Sequence, residues 1–176
     1  ELGWVVPFMA LKKSSEVIRI GFSITESAAD TFTQSRVDLQ LNPLDQEVFV
    51  IVAADLDPAA PNLIDGQNTQ VAMSVSATSK TAFTNLNDSD CIANAVLDLR
   101  VSATPGSGVG FTRTSLDSPQ GDTPYISIVA TNDFFVQLQG TNNGAAKNGF
   151  GALWGYRAKA DAATYAALVQ SEVLSS

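Results

Sequence analysis

Apolar and polar residues alternate with a period of two in segment after segment of this 176-residue chain. No other feature constrains its fold as much, because a strand sends successive side chains to opposite faces and a half-buried strand therefore reads apolar, polar, apolar. Between Val17 and Ile24, the side chains of Ile18, Ile20, Phe22 and Ile24 share one face and Arg19, Gly21 and Ser23 the other. From Thr31 to Leu41 the same alternation sets Val37, Leu39 and Leu41 against Arg36, Asp38 and Gln40, and Asn42-Pro43-Leu44-Asp45 supplies a turn. Val48-Phe49-Val50-Ile51-Val52 is apolar on both faces and rich in β-branched residues, as a central strand covered on both sides would be.

Further strands are expected over 69–78, with Val71, Met73, Val75 and Ala77 on one face, and over 92–102 and 109–114. Tyr125 to Thr131 and Phe134 to Gln139 read as a tight hairpin or one bent strand. The last strand is expected over 150–157, with Phe150, Ala152, Trp154 and Tyr156 on one side, turned to the core. Asp55 to Gly66 carries two prolines, a glycine and three aspartates and reads as a long loop. The tail changes character. Asp161 is placed to cap a helix, and Tyr165, Leu168, Val169 and Val173 recur at helical spacing after it. The expected fold is all-β, an antiparallel β-sandwich of eight to nine strands and jelly-roll type with a short C-terminal helix. It divides into an N-terminal arm (1–16), the sandwich (17–158) and a C-terminal helical segment (159–176).

Composition narrows the chemistry. Histidine is absent, so a Ser-His or Cys-His nucleophile pair is impossible and no side chain with an ordinary pKa near neutrality is present. Eighteen acids against ten bases give a formal charge of −8. No basic cluster exceeds Lys12-Lys13, and the run from Val37 to Ser79 holds no base at all. Phosphate binding needs clustered Lys and Arg, so the ordered domain is not expected to contact nucleic acid. No apolar run approaches the ~18 residues of a membrane span. Cys91 is the only cysteine and reads as a small buried side chain rather than a reactive thiol.

The local motifs are weak. Asn85, Asn87, Asp88 and Asp90 offer clustered oxygens, a faint Ca²⁺ candidate without the EF-hand spacing or its closing Glu. Asp55 and Asp57 resemble a carboxylate pair, but Pro58 follows at once and points to loop aspartates. Gly106, Gly108 and Gly110 lack the strand-to-helix context and the lysine of a phosphate loop and read as a hairpin connection. No metal or cofactor is expected. Phe150, Trp154 and Tyr156 could stack on a sugar, with core packing the commoner fate of such a row.

The apolar opening from Leu2 to Leu11, the strands joined by unequal loops such as 55–66, the absence of catalytic groups and the closing strand with its terminal helix resemble the single jelly-roll capsid proteins of icosahedral viruses. That resemblance implies a structural protein of the virion, not an enzyme, which partners copies of itself and other capsid proteins. Charged residues make up only 16% of the chain, against ~25% in a typical domain, and interfaces are depleted in charge in the same way. The expected subunit-interface residues are Trp4, Val5, Val6 and Phe8 of the arm and Tyr165, Leu168, Val169 and Val173 of the helix. A carbohydrate-binding or lectin-like module and a subunit of a cell-surface fibre or surface layer are the alternatives.

Overall fold

The computed structural model describes residues 11–115 and 124–175, and Trp4, Val5, Val6 and Phe8 lie outside them. Among the described residues, ten strands and one α-helix follow in order, with a 3-10 turn at Pro43–Asp45 between the third and fourth strands. They are β1 (Leu11–Lys13), β2 (Ile18–Thr25), β3 (Thr33–Asp38), β4 (Glu47–Pro58), β5 (Thr69–Ser76), β6 (Cys91–Val101), β7 (Gly108–Thr114), β8 (Ser127–Val129), β9 (Asp133–Thr141), β10 (Asn148–Ala160) and α1 (Ala162–Ser175).

The strands pair as a nested series, all antiparallel: β2 with β10, β3 with β9, β4 with β8, and β5 with β6. Alternate pairs fall in opposite sheets, and the ladders β10–β4 and β9–β5 join them. One sheet therefore runs β2-β10-β4-β8 and the other β3-β9-β5-β6. A ribbon of nested antiparallel pairs rolled into two sheets in this order is the eight-stranded jelly roll. Two strands are additions. β1 continues the β2 edge along the end of β10, and β7 extends the second sheet beyond β6.

β4 shows how sequence sets position. Phe49 and Ile51 point between the sheets, where they meet Val71, Met73, Val75, Phe134, Val136, Leu138 and Leu153. Val48 and Val50 point the other way and are covered by α1. All four are fully buried, and each such side chain contributes roughly 1.5–3 kcal/mol. The doubly apolar run is thus a strand between β10 and β8, with a sheet on one side and a helix on the other.

Four expectations need correction. The loop expected from Asp55 begins only after Pro58, because β10 is long enough to pair β4 as far as Gly149 opposite Pro58. A proline is tolerated there because Ala59 donates the bond to β10 and β8 pairs β4 only over Phe49–Ile51, so the Pro58 nitrogen lies on an open edge where no ladder needs an N–H. The strand expected to reach Leu41 stops at Asp38, whose carboxylate accepts from the Gln40 N–H at 2.8 Å while Gln40 takes a left-handed φ of 53°. Tyr125 to Thr131 contributes only the three-residue β8, which pairs β4 while β9 pairs β3 and β5 in the other sheet, so the two segments are neither a hairpin nor one bent strand.

The fourth correction is to β10. Its inward face carries Gly149, Gly151, Leu153 and Gly155, and its aromatic row points outward. A Cβ on Gly149 would lie 2.8 Å from Met73 Sδ and one on Gly151 2.5 Å from the Phe22 ring, while one on Gly155 would collide with the Val50 carbonyl and the Phe49 ring. Large side chains from neighbouring strands already fill the space that Phe150, Trp154 and Tyr156 were expected to take.

At one end of the sandwich a buried carboxylate ties the loops together. Glu26 accepts from the backbone N–H groups of Thr31, Gly140 and Lys147 at 2.9, 3.0 and 2.8 Å. This fixes the 26–32 connection against the 142–147 turn and leaves the adjoining sheet faces at that end in a set relation.

Candidate functional site

The outward row on β10 is the first candidate surface. Cross-strand register places Asp57 and Ser23 beside Phe150, and Asp55 and Gly21 beside Ala152. Arg19 lies over the Trp154 ring at 5.5 Å and Lys13 over Tyr156 at 5.1 Å, two cation–π contacts, while Tyr156 itself packs at the edge of the apolar cluster under α1. Phe150 is 54% exposed, and Asp55 and Asp57 are exposed too. The two aspartates do share a strand face, but that face is open to water.

The helix builds the second. Asp161 Oδ1 accepts from Thr164 N–H at 2.7 Å, chiefly through which its carboxyl is held below the usual range. Tyr165, Leu168 and Val169 pack over Val48, Val50, Ala130, Ala158 and Ala160 of their own sandwich. Val173 is 57% exposed. Glu172 completes the inward stripe. Its carboxylate accepts from Ala130 N–H at 2.6 Å, Thr131 N–H at 3.2 Å and Thr131 Oγ–H at 2.8 Å. Burial pushes its pKa up, the three hydrogen bonds oppose the shift, and the charge of Asp90 adds to it. Sequence reasoning missed Glu172, yet a signal was there: residues 165, 168, 169 and 172 form one helical stripe, and an acid on it needs donors.

On the outer face of the second sheet, the connection between β5 and β6 covers a polar layer. Ser74 Oγ–H donates to Gln137 Oε1 at 2.8 Å, and Gln137 Nε2 donates to Ser76 Oγ at 2.7 Å and Gln34 Oε1 at 2.9 Å. Within the same connection Lys80 Nζ reaches Asp88 and Asp90, each at 3.1 Å. Two of the faint Ca²⁺ candidates thus hold an ammonium, and Asn87 is exposed. Among the described residues no three His, Cys, Asp or Glu side chains cluster. Cys91 opens β6, and burial pushes its thiol up to about 11, which removes the nucleophilic thiolate at neutral pH.

The third candidate is the β7 edge. Every residue of β7 is exposed, and Val109, Phe111 and Arg113 line its outer face beside Arg100, Asp98 and Val96 of β6. Nearby clefts of about 220 and 230 Å³ are lined mostly by amide, hydroxyl and charged side chains. Each falls below the ~300 Å³ of a small-molecule site.

No family model and no curated protein matches the sequence. Solved structures similar to it include viral capsid proteins. Merkel Cell Polyomavirus VP1, as an unassembled pentamer, matches over 85% of this chain and 98% of its own, at 5% identity and a TM-score of 0.41. Desmodium yellow mottle tymovirus matches over 81% of this chain and 87% of its own, at 14% identity and a TM-score of 0.28. At these scores the fold assignment stands on the strand order and not on the likeness.

Proposed function

We propose that this chain is a structural protein that assembles with copies of itself into a closed viral capsid shell, as a major or minor capsid protein of the virion, and catalyses no reaction. The observation that supports it most is the combination of a jelly-roll strand order with large apolar side chains exposed in pairs on its outer surfaces. Single exposed apolar residues are ordinary, but Val109 and Phe111 share one strand face, and Val173 and Leu174 adjoin at the helix end. Within the interface set, Trp4, Val5, Val6, Phe8 and Val173 are proposed to reach neighbouring subunits. Tyr165, Leu168 and Val169 act through the helix they anchor. Negative-stain microscopy of the purified protein across salt and pH should show closed particles. Monomers or open filaments under all conditions would overturn the reading.

A carbohydrate-binding module is the second reading, favoured by the outward Phe150 and Trp154 beside Asp55 and Asp57. Retention on sugar columns by a chain that forms no particles would put it first.

A further inference from the structure

We infer that the outer faces of the two sheets, at the loop-tied end of the sandwich, are the two halves of one head-to-tail contact between copies of this chain. The inference rests on the shell reading and names the surfaces such a shell would use.

The first half is basic and apolar. Register pairs Arg100 with Val109, Asp98 with Phe111 and Val96 with Arg113, which makes all six side chains neighbours on one face. Val109 is 61% and Phe111 54% exposed. Both arginines approach Asp98 only at 3.7 and 3.5 Å, and their side chains are 55% and 67% exposed. At those separations neither guanidinium makes the two parallel bonds of a paired fork, so their donors remain open to a second carboxylate.

The second half is acidic and apolar. Phe150 stands exposed between Asp57 and Ser23, and Asp55 flanks Ala152 one step along the same face. Arg19 borders it, over the Trp154 ring and with Nη1 3.3 Å from where a Cβ on Gly21 would lie, so two aspartates face one arginine there. Each half therefore has an exposed phenyl ring beside charges, with arginines in excess on one and aspartates in excess on the other.

A phenyl contact ringed by Arg–Asp pairs has the apolar centre and polar rim of a protein interface. Because the halves differ in charge, neither pairs well with itself. The contact is head-to-tail, and the rotation from one copy to the next decides whether it closes.

Two full-length variants isolate the halves. V109E/F111E spoils the basic face while leaving Asp98 with its arginines, and D55K/D57K spoils the acidic face. All four positions are exposed, and thermal unfolding verifies that each variant is folded. In sedimentation velocity each variant alone should associate at least tenfold more weakly than the unaltered chain. The equimolar mixture should form a 1:1 heterodimer, since it holds one intact pair of faces. If V109E/F111E fails to fold, F111S replaces it, with association expected to fall at least tenfold. A mixture that stays monomeric, or either variant assembling alone like the unaltered chain, overturns the contact. Closed particles from the unaltered chain and from both variants would sink the contact and keep the shell reading. Heterodimers from the mixture without closed particles from the unaltered chain would do the reverse.

Discussion

The glycines of β10 decide what its aromatics do. Gly155 has no room for a side chain, since a Cβ there would meet a backbone carbonyl that cannot swing away, whereas Gly110 in β7 has nothing within 4 Å of the same position. Overpacking of a tight core costs roughly 1–3 kcal/mol. Gly155→Ala should therefore lower the thermal midpoint clearly while Gly110→Ala leaves it nearly unchanged, as differential scanning calorimetry can check. Equal effects at both positions would mean that β10 is not pressed against Phe49 and Val50 as described. The alternation in 150–157 was plain in the sequence, but not which of its two faces turns inward. Nothing local to β10 records that Met73, Phe22 and Phe49 occupy the space beneath it.

Among the elements, α1 is held by an apolar stripe and one buried carboxylate. Burial is the largest influence on Glu172 and raises its pKa, so its neutral form is favoured in the folded protein. For a carboxyl raised in this way, the associated stability is fully present below the unfolded value of about 4.3 and is lost as pH rises through the folded one. Glu172→Gln, which mimics the neutral acid, should thus gain stability relative to the unaltered chain between pH 4 and pH 7. Paired thermal unfolding curves across that range measure the difference. A gap that stays constant with pH would show that Glu172 titrates as an ordinary surface carboxyl. The helix itself was legible from Asp161 and the spacing of Tyr165, Leu168 and Val169. Its docking partner was not, because Ala130 and Thr131 lie about forty residues upstream and nothing in their own segment marks them as donors to a carboxylate.

For the whole molecule, β1 lies within the span expected as the arm (1–16) but is a strand of the sandwich sheet. Leu11, Lys12 and Lys13 are paired with Ala160, Lys159 and Ala158, so the fold needs Leu11 but no residue before it for that ladder. Deleting residues 1–10 should leave the unfolding midpoint within about 2 °C and should shrink or mis-size the assembled particles, by light scattering and microscopy. Particles of unchanged size would remove Trp4, Val5, Val6 and Phe8 from the proposed interface.

The sequence by itself determined the class: period-two alternation made strands, the doubly apolar Val48–Val52 run demanded cover on both sides, and the lack of histidine shut out the commonest proton chemistry. These are properties of single segments. Strand order, the outward turn of Phe150 and Trp154, the extension of β4 to Pro58 and the clustering of Arg100 and Arg113 beside Val109 and Phe111 were decided only in the tertiary structure. Each depends on which distant strand lies alongside: a one-residue shift of register exchanges the two faces of a strand, and the bulge at Val52 of β4, opposite Trp154 and Gly155, turns Phe49 and Ile51 inward before it and Ala54 and Leu56 inward after it.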